Sequence, residues 1–380
     1  MAIKKLIRGE SSMRLVRLTF LFFLSCLVLF LYTNNALRPG DVVSSAICQA
    51  ATPSALESPK KPRVVVIANT TAEADGLMAV LASKDMRPSS LQDAPPLANC
   101  LSAQGLRGSY AKNGVRVEFW CLWDLAGGDG TLNKVKKLSN AIQPPGEVAP
   151  AMVVAFGTAA GHWETSYNGS VVVGSAVLLH SPSFLKDEEV TEVTNALRTR
   201  GVELDKIIES EKGWGFLSNI SAWNATGSLF NDKRIEMEDK FLKPPIHPAA
   251  IPVVLLSPNR LGLSSINVKS GSEYARADAE TLKVALRAMS KSTKTFEVGG
   301  VETTHGLIRA FSPKEAPFIY VTAISNRLGY FPMEMSTRRA AQHVAVINNA
   351  GVVTAYLVDW ILSNPALLAP VQHRTQERED

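Results

Sequence analysis

Apolar residues in this chain gather into short, uninterrupted runs separated by polar stretches with helical spacing. Arg63–Ala68 (RVVVIA), Val115–Leu122 (VRVEFWCL), Ala151–Phe156 (AMVVAF), Ser170–Leu179 (SVVVGSAVLL) and Phe318–Ile324 each read as a strand buried on both faces. Between them, helical spacing covers residues 72–83, 132–142, 278–290 and 337–362. The first of these stretches follows an Asn69-Thr70-Thr71 N-cap. This alternation predicts an α/β fold whose mixed, largely parallel sheet is covered by helices on both faces.

The rhythm breaks over about 181–259, a polar region that holds Trp214, Trp223 and the loop-like run KPPIHPAAIP from Lys243 to Pro252. It reads as a long insertion, either a lid or a peripheral helical excursion. Near the start, Leu18–Tyr32 (LTFLFFLSCLVLFLY) is an uncharged apolar run behind Lys4, Lys5, Arg8, Arg14 and Arg17. A run of about 15 apolar residues behind a basic flank suits a signal anchor with a cytoplasmic N-terminus. Residues 1–36 are therefore expected to anchor the chain in a membrane, and 37–62, rich in Ala, Ser and Pro, to form a stalk. Residues 63–370 are expected to form one α/β domain on the extracytoplasmic side.

Of 380 residues, 46% are hydrophobic and 20% charged, which excludes a disordered chain. The net charge is +5, much of it in the N-terminal flank. No basic stripe interleaved with aromatics follows, so nucleic acid is not an expected partner. Cys26, Cys48, Cys100 and Cys121 lack metal-ligand spacing. Cys100 and Cys121 either pair in an oxidising compartment or remain two buried thiols. No metal and no cofactor is expected.

Glycine-rich turns are expected at Gly127-Gly128-Asp129-Gly130 and at Gly157-Thr158-Ala159-Ala160-Gly161, where backbone N–H groups can cradle an anion or a ribose. Glu73 falls on the first helical turn after the first strand, within reach of a ligand at the sheet edge; the alternative is a carboxylate that only complements the helix dipole. Gly299–Asn326 (GGVETTHGLIRAFSPKEAPFIYVTAISN) reads as a helix feeding a buried strand. The helix carries a polar knot, Glu302-Thr303-Thr304-His305, and the strand stops at Ser325-Asn326. Ligands of open α/β folds sit at the carboxyl ends of such strands, so both clusters are candidates for one pocket.

Taken in order, VVVIANTTAEADGL (Val64–Leu77), the glycine turn after Leu122, VVAFGTAAG (Val153–Gly161), GSVVVGSAVLLH (Gly169–His180) and GGVETTHGLIRAF…APFIYVTAISN resemble the nucleoside phosphorylase and nucleosidase superfamily. They are also similar to proteins described as purine nucleoside permeases. The resemblance implies a mixed sheet forming a distorted barrel flanked by helices, a purine nucleoside or related small molecule as ligand, and allows a homo-oligomer. It implies that Glu73 handles a water nucleophile and that Phe156, Gly157 and Thr158 line the base and ribose region. Glu302, Thr303 and Thr304 fall at the ribose site, and Asn326 falls where many members place the Asp that protonates the purine. An Asn cannot donate a full proton, and Thr304 stands where a second ribose carboxylate is expected. No Arg accompanies the Gly157 turn, where phosphorolytic members hold phosphate. Hydrolysis of the N-glycosidic bond is therefore expected over phosphorolysis. The alternatives are a non-catalytic nucleoside binder for uptake or sensing, and a scaffold with a filled pocket.

Overall fold

Strand β1 (Arg63–Ala68) pairs in parallel with β3 (Val115–Cys121) on one side and β4 (Met152–Gly161) on the other. In this computed structural model the described residues are 61–83, 86–91, 105–128, 130–162, 168–185, 188–225, 254–337 and 340–368. The expected anchor, nearly all of the stalk, Cys100 and the middle of the insertion lie outside them. Side chains alternate across β1. Val64, Val66 and Ala68 enter one apolar cluster and Val65 and Ile67 the other, so the strand needs cover on both faces. Helices α1 (Thr71–Ala82) and α9 (Ala340–Ser363) cover the first face. Helix α3 (Thr131–Ile142), α4 (Glu188–Thr199) and α7 (His305–Phe311) cover the second.

The sheet is mixed. β4 takes β1 along its first half, meets β10 (Glu297–Glu302) near its end, and pairs in parallel with β11 (Phe318–Arg327) along its other edge. β10 continues in parallel to β9 (Arg260–Ser265) and β6 (Ala176–His180), where β7 (Ile207–Glu209) closes the row antiparallel. β5 (Val171–Gly174) pairs antiparallel with β11 and parallel with β8 (Val254–Leu256). Among the described residues the remaining α-helices are α2 (Leu122–Ala126), α5 (Glu211–Ala225), α6 (Gly271–Met289) and α8 (Phe331–Thr337).

Several expectations change. Residues 157–161 extend β4 and make no turn. Residues 299–302 belong to β10, so the polar knot straddles a strand end and a helix start. The single run over 170–179 divides at Ser175 into β5 and β6, which join different partners. An unanticipated strand, β2 (Leu106–Lys112), forms an antiparallel hairpin with β3 through Asn113-Gly114. Both turn residues have positive φ (50° and 79°), the conformation a two-residue hairpin requires. The described part of the insertion forms α4, β7, α5 and β8. Cys121 carries a buried thiol whose pKa is raised by burial.

Helix α9 is apolar enough over His343–Ser363 to cross a membrane by length and composition. Here most of that stretch is buried in the fold. It crosses α1 closely: a Cβ on Gly76 would sit 2.3 Å from the Ile347 side chain, and one on Gly351 2.9 Å from Val80.

Tyr320 explains three glycines. Its hydroxyl donates to the Arg260 carbonyl at 2.9 Å. A Cβ on Gly174, Gly262 or Gly299 would fall 2.6, 3.0 or 2.3 Å from atoms of its side chain. These glycines lie on β5, β9 and β10, so one ring from β11 packs against three strands that lack side chains opposite it.

Candidate active site

The ends of β1, β4, β10 and β11 meet beside the start of α1, and a cavity of about 220 Å³ opens there. Its walls include Asn69, Thr70, Glu73, Thr158, Glu302, Thr303, Ser325 and Asn326. Helix α6 adds Tyr274 and Asp278, α8 adds Phe331 and α9 adds His343.

Glu73 is placed by a capping box. Its backbone N–H donates to Thr70 Oγ1, while its carboxylate accepts from the Thr70 N–H and hydroxyl, both at 3.0 Å on Oε2. Oε1 accepts from the Thr158 N–H at 2.7 Å and the Thr158 hydroxyl at 2.8 Å. A carboxylate offers about four acceptor sites, and all are taken. Gly157 makes this approach feasible without lining the cavity: a Cβ there would lie 3.2 Å from both Glu73 Oε1 and His305 Nε2.

Glu302 ends β10 and caps α7. Oε1 accepts from Ser264 Oγ at 2.5 Å and the His305 N–H at 2.6 Å. Oε2 accepts from the Thr304 N–H and from the Thr304 hydroxyl at 3.1 Å. These bonds fill the carboxylate, which keeps no acceptor site for sugar hydroxyls. Thr304 is buried as the cap residue of α7, and Thr303 is the member of the knot that reaches the cavity beside Glu302. Its hydroxyl accepts from Asn69 Nδ2 at 3.3 Å, and Lys134 Nζ holds Asn69 Oδ1 at 2.8 Å.

A β-bulge delivers Ser325 and Asn326. Ile324 pairs with Ala159 and Asn326 with Ala160, so Ser325 is the extra residue. Asn326 Oδ1 accepts from the Ser325 hydroxyl at 2.8 Å, and Nδ2 donates to the Arg327 carbonyl at 3.0 Å. Among the described residues each end of the amide keeps capacity for one more bond. Glu334 fixes the strand end by accepting from the Arg327 N–H at 2.7 Å and Nε at 2.5 Å.

Of the residues the motifs single out, Glu73, Thr158, Glu302, Thr303 and Asn326 meet at this cavity. Phe156, Gly157 and Thr304 do not. Phe156 lies on the same face of β4 as Thr158 but two residues deeper, within the apolar cluster that α1 and α9 cover. The turn at Gly127 and Gly128 also lies elsewhere, as the left-handed C-cap of α2 and the residue after it. None of the described residues between 181 and 259 lines the cavity.

Sequence reasoning missed Asp278, Tyr274, Phe331 and His343. The Tyr274 and Phe331 rings lie 4.7 Å apart at 38°. Asp278 is 3% exposed, and its carboxyl is pushed up to about 8. Burial is the main cause, opposed by a Gly329 backbone hydrogen bond and reinforced by the Glu302 charge. Among the described residues, no lysine or arginine lines the cavity. A larger groove of about 840 Å³ lies around Arg200, Lys206, Lys212, Lys294 and Arg309, and includes none of the residues above. Its cations face Glu203, Glu209 and Glu315, with which Lys206, Lys294 and Lys212 pair.

No protein-family model matches the chain, and no curated protein matches it. Solved structures of nucleosidases are similar to it. One is 5'-methylthioadenosine/S-adenosylhomocysteine nucleosidase from Neisseria meningitidis in complex with methylthio-immucillin-A, 17% identical with a TM-score of 0.45, covering 78% of this chain and 99% of that one. A putative nucleosidase of the same description from Borrelia burgdorferi, bound to adenine, is 13% identical with a TM-score of 0.46, covering 78% and 100%. Futalosine hydrolase of Helicobacter pylori is 10% identical with a TM-score of 0.41, covering 79% and 99%.

Proposed function

We propose that this protein hydrolyses the N-glycosidic bond of a purine nucleoside, and does so on the extracytoplasmic side of a membrane to which Leu18–Tyr32 anchors it. The observation that carries the reading is convergence: Glu73, Thr158, Glu302, Thr303 and Asn326, drawn from separate stretches of chain, line one cavity. In this reading the Tyr274–Phe331 pair supplies an apolar face for the base, and the open capacity of the Asn326 amide meets the base edge. Thr303 and Thr70 offer hydroxyls to the sugar, while Glu302 holds the loop that presents Thr303.

Glu73 receives water once a threonine hydroxyl turns away. Thr70 Oγ1 and Thr158 Oγ1 are rotors, so either can vacate an acceptor site without backbone movement. The freed oxygen orients the water and takes its proton as the bond to the sugar forms. Hydrolysis is favoured over phosphorolysis because a phosphate dianion would meet Glu73 and Glu302 with no lysine or arginine among the described residues that line the cavity. The fork of the sheet at β4, with Tyr320 enclosed between strands, supports reading the sheet as a distorted barrel.

The test is base release. Full-length protein should liberate free base from at least one of inosine, adenosine and methylthioadenosine, equally with and without phosphate. No released base under any of these conditions refutes the activity. A second reading, binding without cleavage, draws support from the two filled carboxylates, since neither accepts water until a bond is given up. It predicts a ligand-dependent rise in melting temperature with no base release.

A further inference from the structure

Among the described residues, three carboxyl groups line the cavity: Glu73, Glu302 and Asp278. Each glutamate accepts four hydrogen bonds from N–H and O–H donors, so neither has room for a proton of its own while those bonds stand. The amide of Asn326 has no transferable proton. A departing purine is an anion unless it is protonated, so cleavage of its glycosidic bond benefits from an acid at the base. Asp278 lies one helical turn after Tyr274 on the same face of α6, beside the ring pair that would flank the base.

Resting on the reading of this cavity as a nucleoside-cleaving site, we propose that Asp278 is the general acid that protonates the leaving base, in place of the carboxyl that Asn326 lacks. As the C1'–N bond breaks, its electron pair goes to the base, and the Asp278 proton moves to a base nitrogen. Water adds to C1' and its proton passes to Glu73. The products are neutral base and free sugar, and exchange with solvent returns a proton to Asp278 and removes one from Glu73.

The surroundings keep Asp278 protonated at neutral pH. Its pKa is raised to about 8, mainly by burial. The elements packed against α6 bring other charged groups: His180 from β6, Arg260 from β9, Glu297 and Glu302 from β10, and Glu334 from α8. His180 is engaged by Asp205 and Glu280, Arg260 by Glu297, and Glu334 by Arg327. Glu302 shares the cavity with Asp278 and its charge raises the Asp278 pKa further. From α1 and α9, Glu73 and His343 also line the cavity.

The experiment compares wild type with Asp278→Asn, both full length, on the purine nucleoside that wild type cleaves and on p-nitrophenyl riboside, whose leaving group departs without protonation. Asp278→Asn should lower kcat on the nucleoside by about 100-fold or more while KM changes little, and should cleave the aryl riboside near the wild-type rate. The wild-type rate on the nucleoside should fall above about pH 8, a limb missing from its aryl riboside profile. Equal rates for variant and wild type on the nucleoside overturn the role of Asp278 and leave the activity standing. Equal losses on both substrates also overturn it, by showing damage unrelated to proton donation. Wild type inactive on both substrates overturns the proposed activity and this role together.

Discussion

Glu73 Oε1 accepts both the backbone N–H and the hydroxyl of Thr158, at 2.7 and 2.8 Å, across 85 residues of chain. The contact ties the first turn of α1 to the far half of β4 and fixes one wall of the cavity. Its geometry favours glycine at 157, because a Cβ there would lie 3.2 Å from the same oxygen.

Glu73→Gln should abolish turnover if Glu73 takes the water proton, because an amide is a far weaker base. The variant keeps the capping-box reach toward Thr70 but turns an NH2 toward a backbone N–H. A stability loss of about 1–2 kcal/mol is expected from one unmet donor. Urea melts measure the second effect and steady-state rates the first. An unchanged kcat would remove Glu73 from the chemistry.

Gly157→Ala should weaken the site while removing none of its polar groups. The new Cβ lies 3.2 Å from Glu73 Oε1 and from His305 Nε2; Thr70 holds the far oxygen of Glu73, and the His305 ring stacks on Tyr320. The expected cost is about 1–3 kcal/mol of overpacking strain, with a lowered kcat. Wild-type melting and activity together would show that the wall yields more easily than its packing implies.

Asp278 should tilt stability against pH. Its pKa is about 8 in the fold and about 4 in an unfolded chain. Between these values the folded state holds a proton that the unfolded state has released. The contribution of this group is therefore fully present below about pH 4 and is lost as pH rises towards 8, by up to about 1.4 kcal/mol per pH unit. Asp278→Asn removes this term, so the variant should gain on wild type as pH rises from 5 to 8. Parallel stability curves for the two proteins would contradict the raised pKa.

Gly299→Ala should be severely destabilising, since its Cβ would lie 2.3 Å from the Tyr320 hydroxyl. Tyr320→Phe alone gives up the 2.9 Å hydrogen bond to the Arg260 carbonyl, a loss of about 1 kcal/mol. Because the nearest obstacle is that hydroxyl, the double variant should be more stable than Gly299→Ala alone. Additive losses in chemical denaturation would show that the Leu261 carbonyl, at 3.2 Å, sets the limit instead.

The sequence made the central strands visible because runs such as RVVVIA are apolar at every position, and only a strand covered on both faces uses such a run. The motifs also singled out Glu73, Thr158, Glu302, Thr303 and Asn326, which the fold brings to one cavity. The β2–β3 hairpin was signalled by Asn113-Gly114 but hidden by the mixed composition of β2. The glycines at 157 and 161 read as a turn. Glycine in a strand instead marks a close approach, here of Glu73 to Gly157, which only tertiary structure reveals. Asp278 stood only as the first residue of the helix expected over 278–290, which in the fold begins at Gly271, and nothing local says that its face is buried. The full occupancy of Glu302 was equally hidden, because Ser264, one of its donors, lies 38 residues away.

In the proposed reaction, water attacks the sugar carbon of a nucleoside held in this cavity. Reaction of the full-length protein with a purine nucleoside in ¹⁸O-labelled water, in the presence of phosphate, tests it most directly. Hydrolysis gives free base and a sugar carrying ¹⁸O at C1, with product formation strongly reduced in Glu73→Gln. Formation of a sugar 1-phosphate, or recovery of intact nucleoside after binding, would contradict it.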